Sequence, residues 1–126
     1  MPNHPPAPIR TKIIIEAIPQ EQQRYPTSGD WFFDTEGNLL IRVTGSDVFD
    51  EDEAFLIALH ELVESKLCAK HGITQGAVDK FDMAFEGEGE PGDDPAAPYG
   101  REHRAAMILE HAMALMLGLW TYGRVE

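Results

Sequence analysis

The sequence predicts an α+β fold, in which a small N-terminal antiparallel sheet of about three strands precedes three helices. Short β-branched and aromatic runs occupy the first third of the chain, helical periodicity follows, and loops rich in glycine and proline separate the elements. With 126 residues, the chain is expected to form a single domain over residues 11–126. A proline-rich flexible arm at residues 1–10 is expected to precede it.

The predicted strands are residues 12–18 (KIIIEAI), 30–34 (DWFFD) and 39–43 (LLIRV). They are short and rich in β-branched and aromatic side chains, and turn-forming residues bound them. The segment DTEGN at residues 34–38 predicts a hairpin turn between the last two strands. We expect the aromatic rings of the middle strand to lie mostly in the core of the sheet.

The first helix is predicted to begin after a capping aspartate, Asp50 or Asp52, and to end near Lys70 or His71, before Gly72. Its apolar side chains recur at helical spacing, so they are expected to face the core as one stripe. That stripe comprises Phe55, Leu56, Leu59, Leu62, Val63 and Leu67.

A second helix is predicted over residues 75–85 and a last helix over residues 101–122, with Trp120 and Tyr122 closing the core. Between them, residues 86–100 (EGEGEPGDDPAAPYG) predict a mobile acidic loop without a core of its own. Two interpretations of this loop remain open, a solvated linker and a lid over a site.

Composition narrows the classes of partner. The net charge of −12 argues against binding to nucleic acid or to an anionic membrane, because such a surface repels phosphate groups. No apolar run is long enough to cross a bilayer, and the N-terminus lacks the features of a signal peptide. The single cysteine, Cys68, fits a reducing compartment and is expected to be a half-buried structural thiol. We therefore expect a cytoplasmic protein.

The segment His60-Glu61-Leu62-Val63-Glu64 lies within the first predicted helix. Side chains four residues apart project from one face of a helix, so His60 and Glu64 can hold one divalent ion between an imidazole and a carboxylate. Glu61 lies one step round the helix. Apolar residues flank the segment on both sides, and buried carboxylates are costly unless they are paired or bound to metal.

This segment resembles the zincin metallopeptidases, whose helix carries His-Glu-x-x-His. There two histidines bind zinc and the glutamate activates the metal-bound water, which implies a ligand role for His60 and a general-base role for Glu61. Glu64 replaces the second histidine. The resemblance makes zinc our first expectation for the cofactor. Because a carboxylate is a harder ligand than imidazole, manganese and iron are alternatives.

A tight site needs a third protein ligand, and the last helix offers two. His103 and Glu110 lie seven residues apart on one face of it, and nearby alanines would allow close packing against the first helix. His103 is our first choice because a second carboxylate would make the site less suited to zinc. Asp79 and Asp82, on the middle helix, are further candidates.

The leading functional hypothesis is a small metal-dependent hydrolase of zincin-like design, in which His60, Glu64 and His103 hold the ion. One alternative is a Mg-dependent nucleotide or phosphoester hydrolase that uses carboxylates only. Its ligands, Glu61, Glu64, Asp79 and Asp82, loosely resemble those of the helical nucleotide pyrophosphohydrolases. A second alternative is a non-enzymatic acidic accessory or inhibitor protein, such as one of phage origin, in which a structural polar network replaces the metal site. Substrate and oligomeric state stay open.

Overall fold

The computed structural model describes residues 12–45 and 50–123. The helices and strands follow the predicted order, a three-stranded sheet and then three helices. The strands are β1 (Ile13–Pro19), β2 (Gly29–Phe33) and β3 (Leu39–Gly45), and the helices are α1 (Glu51–Lys70), α2 (Gln75–Ala84) and α3 (Gly100–Met116). Short 3-10 turns lie at Gln20–Gln22 and Pro91–Asp93. The predicted N-terminal arm lies outside the described residues.

The sheet is mixed, with the strand order β1-β3-β2. The predicted hairpin is confirmed, because β2 and β3 pair antiparallel across a turn in which Gly37 has a positive φ. β1, however, pairs parallel to β3, so the expectation of a wholly antiparallel sheet is wrong for this strand. Strand β3 takes the central position in the sheet and is the most buried of the three strands. Alternation of apolar side chains predicts a strand but does not encode the direction of its pairing.

Helix α1 packs against β2, β3 and α3. Its start is confirmed, since the side chain of Asp50 accepts hydrogen bonds from the backbone N–H groups of Asp52 and Glu53. The predicted apolar stripe is only partly correct, because Leu56 is fully buried whereas Phe55 is half exposed. The buried side of α1 instead carries many polar residues, namely His60, Glu61, Glu64 and Ser65.

The core lies mainly between the sheet and α1. Its buried members are Trp31, Leu39, Ile41, Val43, Ala58, Cys68, Val78 and Tyr99. Cys68 is fully buried rather than half-buried. Tyr99, at the C-terminal end of the acidic loop, packs into this core, so the loop is joined to the core of the domain at that end.

Helix α3 ends at Met116, earlier than predicted, and the chain turns at Gly118, where φ is +80°. Trp120 is 68% exposed, so the expectation that it closes the core is wrong. The local sequence stays apolar past the end of the helix, and periodicity alone therefore does not locate the turn. None of the helices in the described part of the chain combines the length and apolarity needed to cross a bilayer.

Candidate metal centre

Helices α1 and α3 bring the three predicted ligands together. His60 and Glu64 lie four residues apart on α1, and His103 faces them from the first turns of α3. His60 Nε2 is 3.1 Å from Glu64 Oε2 and 3.2 Å from His103 Nδ1, and His103 Nδ1 is 3.0 Å from Glu64 Oε2. All three side chains are buried. The ligand atoms thus form a nearly equilateral triangle.

This triangle has the size that a divalent ion requires. With bonds of about 2.1 Å, neighbouring ligand atoms lie about 3.4 Å apart in a tetrahedral site and about 3.0 Å apart on one face of an octahedral site. The observed distances of 3.0–3.2 Å fall between these values. Three protein ligands on one face leave coordination positions for water or substrate on the other side.

Each ligand is also held by a second polar contact. His60 Nδ1 lies 2.8 Å from Glu110 Oε1, and Glu64 Oε1 accepts a hydrogen bond of 3.1 Å from the indole N–H of Trp31. Outer partners of this kind orient metal ligands and select the histidine tautomer. Glu110 itself accepts a hydrogen bond from the Tyr122 hydroxyl. Glu110, predicted as an alternative ligand, therefore supports His60 in the structure.

The third ligand, His103, is held from the acidic loop. Glu90 Oε2 and Asp93 Oδ1 each lie 3.1 Å from its Nε2 atom. This placement is compatible with the interpretation of the loop as a lid. The sequence did not identify either Glu90 or Asp93 as a candidate site residue. Trp31 was expected to be a core residue only. The sequence around Trp31 contains no pattern that predicts its contact with Glu64, which lies 33 residues later on α1.

Glu61 lies beside the triangle without joining it. Its Oε2 atom is 3.8 Å from His60 Nε2, and its side chain is almost fully buried. Burial raises the pKa of Glu61 well above its usual range, and the neighbouring negative charge of Glu64 raises it further. Gly29 of β2 packs against this side chain, since a Cβ atom there would lie 3.1 Å from Glu61 Cγ.

The charges around the triangle favour a cation. Burial by itself lowers the pKa of His60, but hydrogen bonds to Glu110 and Glu64 outweigh burial and raise it to about 10. The pKa of His103 rises to about 9 in the same way, through Glu64 and Glu90. Burial would raise the pKa of Glu64, yet hydrogen bonds from the two histidines lower it to about 2. The site therefore stabilises positive charge, supplied either by protons or by an ion.

The triangle lies in a cleft of about 250 Å³ between residues 25–29 and residues 89–92. Of the described residues that line it, five are carboxylates and none is lysine or arginine. These carboxylates belong to Glu61, Glu64, Asp82, Glu90 and Glu110. Three of them, Glu61, Glu64 and Glu110, are buried, and buried carboxylates are unfavourable unless a cation or protons neutralise them.

The two aspartates predicted on α2 lie elsewhere. Asp79 forms an ion pair with Arg24, and Asp82 accepts hydrogen bonds from the hydroxyls of Tyr25 and Tyr99. Asp82 lines the cleft, and burial raises its pKa to about 6 despite these hydrogen bonds. Among the described residues, neither aspartate joins Glu61 and Glu64 in a group that could share one ion. The geometry thus favours the histidine-containing site over the all-carboxylate alternative.

Comparison with known proteins adds no assignment, because no family model, curated protein or solved structure matches this chain.

Proposed function

We propose that this protein is a small metal-dependent hydrolase of zincin-like design. His60 Nε2, Glu64 Oε2 and His103 Nδ1 are the proposed ligands of one divalent ion. The observation that carries the proposal is the triangle of these atoms, whose sides of 3.0–3.2 Å match the spacing of ligands around such an ion. Each proposed ligand also has an outer partner of the kind that orients metal ligands in proteins.

The donor set indicates zinc, with manganese or iron as alternatives. Two imidazoles and one carboxylate form a set that suits zinc, and the same set with open positions also suits iron or manganese. Magnesium fits less well, because it prefers oxygen ligands. When bound, the ion supplies Lewis acidity, which polarises a carbonyl group and lowers the pKa of water.

Glu61 is the proposed general base. Its carboxylate lies 3.8 Å from a ligand atom, close enough for a water molecule to touch both the ion position and this side chain. Gly29 keeps it in place through close backbone packing.

The cleft limits the substrate. Carboxylates line it and, among the described residues, no lysine or arginine does, so an anionic substrate such as a nucleotide would be repelled. The segment from His60 to Glu64 resembles the zincin motif, so neutral or basic peptides are the first class of substrate to assay. The second alternative, a non-enzymatic protein, keeps the same polar network without an ion.

The test is the metal content and activity of two matched variants. The wild-type protein should hold one zinc per chain and cleave members of a library of internally quenched peptides. Glu61→Gln should retain the metal and lose about 10²–10⁴-fold of the rate, because general-base catalysis typically contributes that much. Glu51→Gln replaces an exposed residue of the same helix and should alter neither the metal content nor the rate.

Three results would count against the proposal. A protein without metal in any condition would support the non-enzymatic alternative. Loss of metal in Glu61→Gln would make Glu61 a ligand. An unchanged rate in that variant would remove Glu61 from the chemistry.

A further inference from the structure

The 3-10 turn Pro91–Asp93 lies against the outer side of His103. While the Nδ1 atom of His103 points inward at Glu64, its Nε2 atom lies 3.1 Å from both Glu90 Oε2 and Asp93 Oδ1. Both carboxylates are more than half exposed, whereas His103 is buried. The contact therefore joins a surface loop directly to a proposed metal ligand.

Gly92 brings the backbone of this turn onto the imidazole ring. A Cβ atom at this position would lie 2.4 Å from His103 Cγ and 2.5 Å from Nδ1, closer than any side chain can approach. Gly92 is itself buried. The turn is therefore shaped to cover this ring, and the two flanking carboxylates are placed at its outer nitrogen.

A bound ion would place the imidazole hydrogen of His103 on Nε2, the atom that these two carboxylates contact. A neutral imidazole that binds metal through Nδ1 carries its hydrogen on Nε2, where it must act as a donor. Glu90 and Asp93 are acceptors at that atom. Without an ion, the inner side of the ring is held by hydrogen bonds alone, so the ring and the turn packed against it are less firmly fixed.

We propose that Glu90 and Asp93 are positioning residues for His103, and that metal binding at His103 fixes the Glu90–Asp93 turn in its position against the cleft. This inference rests on the proposed metal site. Gly89, Glu90, Pro91 and Gly92 form one wall of the cleft, opposite residues 25–29. Metal binding would therefore hold one wall of the cleft in place as well as supply the chemistry. Since such coupling is reciprocal, the turn must also tighten metal binding.

The experiment measures hydrogen exchange and zinc affinity on the same protein. Zinc is titrated into chelator-treated wild type, and amide exchange is followed in residues 90–94, where Asp93 and Asp94 donate backbone hydrogen bonds to Glu90 and Pro91. We expect exchange there to slow at least about tenfold on zinc binding. In Glu90→Ala/Asp93→Ala this slowing should vanish, and zinc should bind about 10–100-fold more weakly.

Two further variants separate orientation from charge. Glu86→Ala/Glu88→Ala removes two exposed carboxylates from the same loop and should leave the zinc-dependent slowing intact, with at most about a threefold change in affinity from long-range electrostatics. Gly92→Ala should behave like the Glu90/Asp93 variant, because its methyl group would push the turn off the ring.

The outcomes distinguish this inference from the proposed function. Stoichiometric zinc without slower exchange in the turn would overturn the inference and leave the metal site standing. No zinc binding would overturn both. Two zinc ions per chain, with the second lost in Glu90→Ala/Asp93→Ala, would show that these carboxylates are themselves ligands of a second ion, which also overturns the inference.

Discussion

Two polar networks join distant elements of this protein, and they differ in the source of their positive charge. In the first, which we call the arginine network, the guanidinium of Arg24 pairs with both Asp30 and Asp79 at 2.8–3.0 Å and lies over the ring of Phe32. In the second, the candidate metal centre described above, carboxylates surround His60 and His103. The first network carries a permanent cation, whereas the second has only titratable imidazoles.

The difference indicates what each network is for. An ion network with a fixed guanidinium is complete when the chain folds, which fits a structural role. Carboxylates and imidazoles without a fixed cation can exchange protons for an ion. Adjacent buried networks in one small protein thus separate a structural role from a proposed functional one. Three perturbations test this comparison.

Metal removal is expected to have the largest effect. An ion that binds only the folded state stabilises it by about 4 kcal/mol when its free concentration is a thousand times Kd. A strong chelator should therefore lower the Tm of the wild-type protein. His60→Ala and His103→Ala should each be destabilised and insensitive to chelator. Their effects should not add, because either change alone removes the shared ion.

The control for this experiment is His71→Ala, since the side chain of His71 is 42% exposed and pairs with Glu102 outside the metal centre. This variant should keep the sensitivity to chelator. If chelator leaves the wild-type Tm unchanged and the effects of the two substitutions add, the histidines belong to a structural network.

Loss of the fixed cation is expected to have the next largest effect. Arg24→Met leaves the almost fully buried Asp30 without its partner, which should lower the free energy of unfolding by about 3 kcal/mol. The loss should be the same with and without metal, as measured by urea denaturation. Arg42→Met is the matched control, because Arg42 pairs with the more exposed Glu16 and should cost less than about 1 kcal/mol. If the loss of stability in Arg24→Met disappears without metal, the two networks are energetically coupled and cannot be treated as separate.

The pH dependence of the metal-free protein is expected to be the smallest effect. His60 and His103 have folded-state pKa values of about 10 and 9, above their ordinary value of 6.5. Their protonation therefore stabilises the fold fully below pH 6.5, and this contribution is lost as the pH rises through 9 and 10. The Tm should fall progressively over this interval.

Two controls sharpen the pH experiment. Bound zinc should suppress the decrease, because the ion replaces the protons, and the double variant His60→Ala/His103→Ala should lack it. A decrease of the same size in that double variant would place the responsible groups elsewhere in the protein.

Local sequence patterns were enough to locate the helices that carry the site. The aspartate cap of α1 and the positive-φ glycine after it marked both ends of that helix. The four-residue spacing of His60 and Glu64 placed both on one side of it. The choice of His103 over Glu110 also matches the geometry, since His103 Nδ1 faces Glu64 and Glu110 contacts the outer nitrogen of His60.

Contacts between distant segments were not predictable in the same way. Trp31 donates to Glu64, and Glu90 and Asp93 reach His103, yet none of these residues has a local pattern that names its partner. The parallel pairing of β1 and the exposure of Trp120 escaped prediction for the same reason.

The sequence by itself determined the order of strands and helices, the helix with its histidine and two glutamates, and the negative charge. Each of these depends on residues that are neighbours along the chain, whose spacing dictates which side of an element they share. Only the tertiary structure decided that α1 and α3 place atoms of His60, Glu64 and His103 3.0–3.2 Å apart, and which partner holds each of these side chains. Those contacts depend on how the helices pack, and packing is set by shape complementarity across the whole core rather than by any local pattern.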